Sequence, residues 1–188
     1  MKEKMTEQAV RLFDQKGFTV TSIQDIVESI GVTKGTFYYY FSSKEELLKD
    51  IHMKYIDGLL SKQERILEDD SKSFSEKLFD MIHLSIVDIK EQGASAKVFF
   101  REMRHLSDES LNQIEPKRDM YRYNIEKLLK EGRKSGDFRN DFDVSVVAFG
   151  ILGMMNWSYQ WFKPGGEKTD KEIAGTFVDM VLKGIQTE

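Results

Sequence analysis

A short apolar stripe followed by a glycine turn constrains this chain more than any other feature. The stripe consists of Ile23, Ile26, Val27 and Ile30, and Gly31 follows it. Spacings of three and four place these side chains on one face of a two-turn helix, and the glycine ends that helix. A second short helix begins at Thr33. The sequence therefore predicts two helices joined by a tight turn, which is the spacing of a helix-turn-helix.

The second helix and its exit combine hydroxyl, basic and aromatic residues. The stretch reads Thr33-Lys34-Gly35-Thr36-Phe37-Tyr38-Tyr39-Tyr40-Phe41-Ser42-Ser43-Lys44. Phe37 and Phe41 are four residues apart, so they share one helix face and we expect both in the core. Tyr38 and Tyr39 lie on the other side. Such a face, with hydroxyls and an ammonium group, suits a helix that enters the major groove of DNA.

We assign the start of this helix to base reading and its exit to the DNA backbone. Lys34 can donate to guanine O6 or N7. Gly35 lets the backbone approach DNA, at a helix-propensity cost of about 1 kcal/mol relative to alanine. The other base candidates are Thr33, Thr36 and Tyr39, with Gln24 as a weaker one. The phosphate candidates are Tyr38, Tyr40, Lys44 and Ser22, and partial burial is an equal alternative for Tyr40.

Charge alone does not indicate a nucleic-acid binder. The chain of 188 residues has a net charge of -4, and up to Lys54 eight basic residues face eight acidic ones. A neutral DNA-binding domain must concentrate its positive groups on one face, so we expect modest affinity per domain and a steep salt dependence. A second copy of the domain would double the contacts.

The remaining sequence predicts further helices. The expected spans are 3–16 and 43 to about 62, then 74–91, 95–106, 109–135, 143–162 and 169–186. Expected N-caps are Thr21 or Ser22 with Gln24 or Asp25, then Thr33, then Ser43 with Glu46. Strand-type alternation is nearly absent. We predict an all-α protein of about nine helices, with a helix-turn-helix DNA-binding domain at 1–46 and a helical bundle at 47–188.

Several classes of protein are disfavoured. The chain has no apolar run of about 18 residues and no signal peptide at its start, so we expect a cytoplasmic protein. Acidic residues are interspersed along the helices, which argues against a membrane-surface role. Cysteine is absent, and His52, His83 and His105 lack metal-ligand spacing. We therefore predict no catalytic residue and no metal site, and a small all-α enzyme is the remote alternative.

The stretch from Thr21 to Leu47 resembles the N-terminal domain of the TetR (tetracycline-repressor-like) family of transcriptional regulators. It fills the pattern T-S-x-x-x-I-x-x-x-x-G-V-[ST]-K-G-T-[LF]-Y-x-[HY]-F-x-x-K-E-E-L without a gap. The resemblance implies a homodimeric repressor that binds a palindromic operator in double-stranded DNA and is released by a small-molecule inducer. It also implies that Tyr38 and Lys44 clamp the DNA backbone. It implies no cofactor.

A second resemblance concerns the inducer. Residues Asn156 to Gly166 look like the N-W-x-x-x-W-[FY]-[RK]-P-G-G stretch of TetR-type regulators of fatty-acid and steroid catabolism, which respond to acyl-CoA thioesters. An acyl-CoA or other lipid-like effector is therefore expected. The alternative is a regulator of an efflux gene that responds to multiple drugs or aromatic compounds, and a member without a small ligand is a third reading.

The helix expected at 143–162 is apolar on two sides, so both sides must be covered. One stripe contains Ile151 and Met155, and the other contains Phe149, Gly150, Gly153 and Trp157. We predict a four-helix dimer interface with the last helix, through Ile151, Met155, Tyr159, Phe177, Val181 and Ile185. Which side faces the pocket and which the partner stays open.

The ligand pocket is expected among apolar residues of the middle helices. The candidates are Met81, Phe99, Phe100, Met103, Arg104, Tyr121, Ile125, Phe149 and Trp157. An ordinary core is the alternative for each apolar residue among them, and a solvated face is the alternative for Arg104. The helix at 43–62 joins the two domains, so we expect it to act as the lever that moves the reading helices when ligand binds.

Overall fold

Eight α-helices account for most of the computed structural model, which describes residues 1–185 and the side chains of residues 1–184. They are α1 (Lys2–Lys16), α2 (Ile23–Ser29), α3 (Lys34–Tyr40), α4 (Lys44–Leu67), α5 (Phe74–Arg101), α6 (Asp108–Ser135), α7 (Val144–Trp161) and α8 (Asp170–Ile185). A short 3-10 turn, Met103–His105, lies between α5 and α6. The predicted all-α class is confirmed.

The predicted number of nine helices is wrong by one within these residues. The expected helices at 74–91 and 95–106 form the single helix α5, which bends at Gln92, where the backbone leaves the helical region (φ -127°, ψ 33°). The Gln92-Gly93 signal therefore marks a kink and not a loop. Residues beyond Arg101 form the 3-10 turn, and α4 continues to Leu67, past the expected end near residue 62.

Local capping explains where the first helices begin. The Ser22 hydroxyl accepts a hydrogen bond from the Asp25 amide (3.1 Å), and the Asp25 carboxylate accepts from the Ser22 amide (2.7 Å). This reciprocal pair is a capping box, as expected. The Thr33 hydroxyl accepts from the Thr36 amide at 3.3 Å. At α4 the Ser43 hydroxyl accepts from the Glu46 amide at 3.0 Å, while the Glu46 carboxylate accepts from the Ser42 amide at 2.7 Å.

The chain divides into two compact units. The first unit is Met1–Asp57 with Gln92–Pro116, and the second is Gly58–Glu91 with the chain from Lys117 onward. The helix-turn-helix thus lies in a unit that also contains part of α5, the 3-10 turn and the start of α6. The predicted division at residues 46 and 47 stays a prediction.

Helices α4, α5 and α6 each contribute residues to both units. The division falls at Gly58 in α4, at the bend of Gln92 in α5 and at Pro116 in α6. Glycine has low helix propensity, and proline has no amide hydrogen to donate to the preceding turn. Each of the three helices is therefore locally weakened where it passes from one unit to the other.

The first unit has its own apolar core. Phe37, Phe41 and Ile26 are almost completely buried, and they share this core with residues of α1, α4, α5 and α6. The whole cluster is Met5, Ala9, Val10, Leu12, Phe13, Ile26, Val27, Phe37, Phe41, Leu47, Leu48, Ile51, Val98, Leu106 and Ile114. The expectation that Phe37 and Phe41 anchor α3 inward is confirmed.

The second unit buries one stripe of α7 together with parts of α5 and α6. Ile151 and Met155 are buried, as are Met81 and Ile125. Gly132 of α6 is required by packing, because a Cβ atom there would lie 2.3 Å from the ring of the buried Phe138. None of the helices in the described part of the chain is long and apolar enough to cross a lipid bilayer.

Candidate nucleic-acid interface

Helix α3 presents a polar and aromatic face to solvent. Tyr39 is 81% exposed and Tyr38 55% exposed, while Phe37 on the same short helix is fully buried. Thr33, Lys34 and Gly35 at its N-terminal end are also exposed. A Cβ atom on Gly35 would meet only the Thr33 hydroxyl, at an ordinary 3.5 Å. Packing within the chain therefore does not require glycine at this position, and its use in a close approach to DNA stays a prediction.

Two other expected contact residues, Thr36 and Tyr40, already make contacts within the protein. Thr36 is half-buried, and its hydroxyl lies 3.3 Å from that of Thr33. The ring of Tyr40 packs against the first-unit core and lies edge-on to Tyr39, with ring centroids 4.8 Å apart. The structure therefore favours partial burial for Tyr40, while its phosphate contact stays a prediction.

Helix α2 packs against α3. Its two expected DNA-contact residues, Ser22 and Gln24, already make local hydrogen bonds. The Ser22 hydroxyl donates to Asp25 at 2.7 Å while it caps the helix. The hydrogen bonds from Ser22 hold the pKa of the Asp25 carboxyl below its usual value. The Gln24 side chain is exposed and donates to the Glu28 carboxylate. Both residues reach DNA only if these local bonds rearrange or are shared.

Lys44, the first residue of α4, is bound inside the first unit. Its ammonium group donates to the carbonyl oxygens of Phe18 and Thr21, each at 2.6 Å, and lies 4.3 Å from the centroid of the Phe18 ring. Burial lowers the pKa of Lys44 below its usual value, and nearby Asp25 opposes this shift. The predicted phosphate contact therefore competes with existing bonds.

Glu45, which the sequence did not single out, holds the start of α6. Its carboxylate accepts from the Ser107 amide (2.9 Å), the Ser107 hydroxyl (2.8 Å) and the Ser110 hydroxyl (2.7 Å). The backbone hydrogen bond from Ser107 and the two hydroxyl bonds keep the pKa of Glu45 below its usual value. Adjacent residues of α4 thus bind two different segments of the first unit.

The nine predicted pocket residues do not form one cluster within either unit. Phe99, Phe100, Met103 and Arg104 belong to the first unit, while Met81, Tyr121, Ile125, Phe149 and Trp157 belong to the second. Phe99 packs against Tyr55 with ring centroids 4.8 Å apart. The Arg104 guanidinium donates to the neighbouring His105 ring at 3.3 Å. For these two residues the structure shows local packing and hydrogen bonding.

The second-unit members divide by burial. Tyr121 is buried, its hydroxyl lies 3.0 Å from that of Ser85, and burial raises its pKa to about 12. Met81 and Ile125 are also fully buried in the same unit. Phe149 and Trp157 are exposed, at 58% and 64%, so they do not line an interior of this protomer.

The predicted dimer residues also differ in burial. Ile151 and Met155 are 1% and 2% exposed, so their side chains are covered within the protomer and cannot face a partner. Tyr159, Phe177 and Val181 are half-buried, and the side chain of Ile185 lies outside the described residues. Burial therefore argues against Ile151 and Met155 as dimer residues, while an interface through Tyr159, Phe177, Val181 and Ile185 stays a prediction.

The fold and this surface define a class: a DNA-binding regulator with a helix-turn-helix and a helical body. Comparison with known proteins gives the family. Residues 6–51 match the family described as bacterial regulatory proteins, tetR family, and residues 71–185 match the tetracyclin repressor-like C-terminal domain. The chain belongs to the TetR family of transcriptional regulators, and its members are regulators and not enzymes.

Individual relatives agree over the whole length. The chain is 28% identical to the transcriptional repressor KstR2 of Mycolicibacterium smegmatis over 186 residues, which cover 98% of this chain and 90% of that protein. It is similar to the solved ketosteroid regulator KstR2 of Mycobacterium tuberculosis, with a TM-score of 0.86, 27% identity and coverage of 100% and 95%. It is also similar to AibR, solved with isovaleryl coenzyme A and operator DNA, with a TM-score of 0.85, 28% identity and coverage of 95% and 96%.

Proposed function

We propose that the chain is a repressor that binds a two-fold symmetric operator as a homodimer and is released by an acyl-CoA-like inducer. The observation that carries this proposal is the exposed face of α3, which Phe37 and Phe41 hold outward from the core. Base contacts come from Thr33, Lys34, Thr36, Tyr39 and Gln24. Gly35 has no side chain, so DNA can approach the backbone there. Phosphate contacts come from Ser22, Tyr38 and Tyr40, and from Lys44 where its ammonium group is shared with DNA.

The dimer interface in this proposal is the exposed stripe of α7. Helix α7 contains no charged residue, and its outward side carries Val146, Phe149, Gly150, Gly153 and Trp157. A Cβ atom on either glycine would meet no atom within 4 Å, so the space above the helix is open. A partner helix can approach closely there. On α8, Met180 is 62% exposed and extends the apolar surface.

The class of inducer follows from two observations. The interior of the second unit contains flexible and apolar side chains such as Met81 and Ile125, and it also contains the hydroxyl pair of Tyr121 and Ser85. Such an interior suits an apolar chain with a polar group. The names of the relatives, a ketosteroid regulator and a regulator solved with isovaleryl coenzyme A, support an acyl-CoA thioester.

Ligand in the second unit acts on the first unit through α4, α5 and α6, which contribute to both. Inducer binding stabilises an arrangement of these helices in which two copies of α3 no longer match successive major grooves, about 34 to 36 Å apart. By linkage, operator DNA weakens inducer binding by the same factor. Since the target is chromosomal DNA, we place the protein in the cytoplasm.

The test begins with DNA selection. Wild-type protein is incubated with a random-sequence duplex pool, and we expect the enriched duplexes to contain an inverted repeat whose binding weakens steeply with salt. Isovaleryl-CoA is then titrated into the complex, with free CoA as the control. Release of the duplex by the thioester alone supports the proposal. Enrichment of no sequence, or of an asymmetric site, contradicts it, and release by free CoA contradicts the acyl requirement.

A further inference from the structure

A groove near the end of α6 concentrates positive charge within the second unit. It is open to solvent, and its volume of about 390 Å³ lies in the range of small-molecule sites. Its lining includes four cations and one carboxylate, namely Lys127, Lys130, Arg133, Lys134 and Glu131. The groove therefore has a net of three positive charges, although the whole chain has a net charge of -4.

The dipole of α6 does not account for all of this charge. Basic side chains are favourable in the last turn of a helix, which is where Arg133 and Lys134 lie. Lys127 lies about two turns before the end of α6, so the dipole gives no reason for a cation there. Lys127, Lys130 and Lys134 are spaced by three and four residues and are all exposed. They therefore form one stripe along the surface of the helix.

Two of the four cations have no carboxylate partner among the described residues. Lys127 makes no hydrogen bond or ion pair within this part of the chain. The Arg133 guanidinium donates to the Phe142 carbonyl oxygen, a neutral acceptor, at 3.3 Å. The other two, Lys130 and Lys134, donate to carboxylates of α6 at 3.3 and 2.8 Å. An anion in the groove would thus meet two uncompensated charges and two exposed lysines.

One wall of the groove is a loop that is fixed against α6. Phe138 is buried, and its amide donates to the Gly132 carbonyl oxygen at 3.0 Å. Further along, the Arg133 guanidinium lies 5.7 Å from the centroid of the Phe142 ring. Asn140 lies between these two anchored residues and lines the groove, where its side-chain amide can donate two hydrogen bonds. A wall that is already ordered loses little freedom when a ligand binds.

We propose that this groove binds the pyrophosphate group of a nucleotide, with Lys127, Arg133 and Lys134 as cations and Asn140 as a neutral donor. A single phosphate carries about 1.5 to 2 negative charges, fewer than the three positive charges of the lining. A second phosphate supplies the remainder. Lysine binds phosphate as a point charge, and arginine adds a planar pair of donors. The group occurs in free nucleoside diphosphates and in coenzyme A, and the inference does not depend on DNA binding.

Calorimetric titration of the full chain at low salt tests this site. The probes are pyrophosphate, ADP, coenzyme A and orthophosphate. Lys127→Gln removes an uncompensated charge, and Lys171→Gln is the matched control, because Lys171 is an exposed lysine of α8 in the same unit. We expect Lys127→Gln to weaken pyrophosphate binding about tenfold and Lys171→Gln to leave it unchanged. Orthophosphate should bind about tenfold more weakly than pyrophosphate.

Three results overturn the proposal. They are equal losses in the two lysine variants, orthophosphate binding as tight as that of pyrophosphate, and no binding of pyrophosphate or ADP up to about 1 mM. The nucleotide probes identify the source of the group. A loss in Lys127→Gln that affects ADP alone supports a free nucleotide, and a loss that affects coenzyme A alone supports an acyl-CoA. Losses for both show that the groove accepts either source.

A measurement on wild-type protein covers the case in which Lys127→Gln fails to fold. In asparagine-labelled protein, the side-chain amide signal of Asn140 should shift when pyrophosphate is added. Asn112, an exposed asparagine of the first unit, is the control and should not shift. An unchanged Asn140 signal at saturating pyrophosphate overturns the proposal. So does an equal shift of both signals, because it shows accumulation of the anion without a site.

Discussion

Two surfaces of this molecule expose large aromatic side chains, and their surroundings differ. On α3, Tyr38 and Tyr39 carry hydroxyl groups and lie beside Lys34 and a backbone left bare by glycine. On α7, Phe149 and Trp157 lie on a helix of 18 residues that contains no charged residue. Exposure alone therefore does not identify a partner. Polar tips beside a cation suit DNA, whereas an uncharged apolar stripe suits a second protein surface.

The two surfaces also differ in what holds them in place. Helix α3 has seven residues, so it depends on Phe37 and Phe41 beneath it and on bonds that Lys44 and Ser22 make elsewhere in the first unit. Helix α7 is long and buries its own second stripe through Ile151 and Met155. The exposed face of α3 is thus sensitive to substitutions elsewhere in the first unit. The exposed stripe of α7 is affected mainly by substitutions within α7 itself.

The largest effect is expected from Gly153→Arg on the apolar surface. The position is exposed with open space above it, so the protomer accommodates the side chain, while a charge at the centre of a helix interface prevents close approach. We expect a monomer in sedimentation, a lower unfolding temperature because association no longer stabilises the folded chain, and a loss of DNA affinity of about 100-fold or more.

The control for Gly153→Arg is Gln113→Arg, which places the same charge at an exposed position of α6. This variant should remain dimeric and should bind the selected duplex as the wild type does. A dimeric Gly153→Arg variant with wild-type DNA affinity would show that the uncharged stripe of α7 is not the dimer interface.

A smaller effect is expected from Tyr38→Ala on the reading surface. Loss of one phosphate contact per protomer should weaken DNA binding about tenfold, because hydrogen bonds to charged groups are stronger than neutral ones. The matched control is Tyr123→Ala in the second unit, since Tyr123 and Tyr38 are similarly exposed, at 51% and 55%. Fluorescence anisotropy measures the affinities, and thermal unfolding should distinguish neither variant from wild type.

Tyr38→Phe separates the hydroxyl group from the ring. If the hydroxyl donates to a phosphate, the phenylalanine variant should bind as weakly as the alanine variant. Wild-type affinity in Tyr38→Phe would assign the contact to the ring and would remove the chemical distinction between the two aromatic surfaces. Equal losses from Tyr38→Ala and Tyr123→Ala would contradict the placement of the reading face on α3.

Short-range features of the first unit could be predicted from the sequence. The capping box of Ser22 and Asp25 and the N-cap at Thr33 depend on residues three apart, so local spacing identifies them. Phe37 and Phe41 are four apart, and helical periodicity alone places them on one buried side. The family followed from the same stretch, because its pattern is continuous.

Long-range partners could not be predicted in this way. Lys44 bonds carbonyls 26 and 23 positions earlier in the chain, and Glu45 bonds Ser107 across 62 positions. No periodic pattern connects such residues, since the packing of separate helices determines their distance. This is why the hydrogen bonds that Lys44 and Glu45 make within the first unit could not be predicted.

The burial of the two sides of α7 could be predicted only in part from the sequence. Both stripes are apolar, so hydrophobicity predicted two covered sides but could not rank them. The glycines are the distinguishing signal, because Gly150 and Gly153 lie on the stripe that also carries Phe149 and Trp157. A stripe that keeps two residues without side chains leaves room for a neighbouring helix.

The smallest effect concerns the carboxylate that ties α4 to α6 in the first unit. The pKa of Glu45 lies below its usual value of 4.5 because it accepts hydrogen bonds from Ser107 and Ser110. A lowered pKa means that the folded state favours the ionised form. The stabilisation is therefore complete above about pH 4.5 and is lost as the pH falls through the lower pKa of the folded state.

Glu45→Gln removes this titration, and we expect its unfolding temperature at pH 7 to be about 2 °C below that of the wild type. The difference should shrink as the pH falls below 4.5, because the wild type then loses the same charge. Glu109→Gln, an exposed carboxylate in the first turn of α6, should show little difference at any pH. Thermal unfolding followed by circular dichroism at several pH values measures this. A difference that persists unchanged at low pH would mean that the introduced amide disturbs packing. The Glu45 carboxylate would then not stabilise the first unit through its charge.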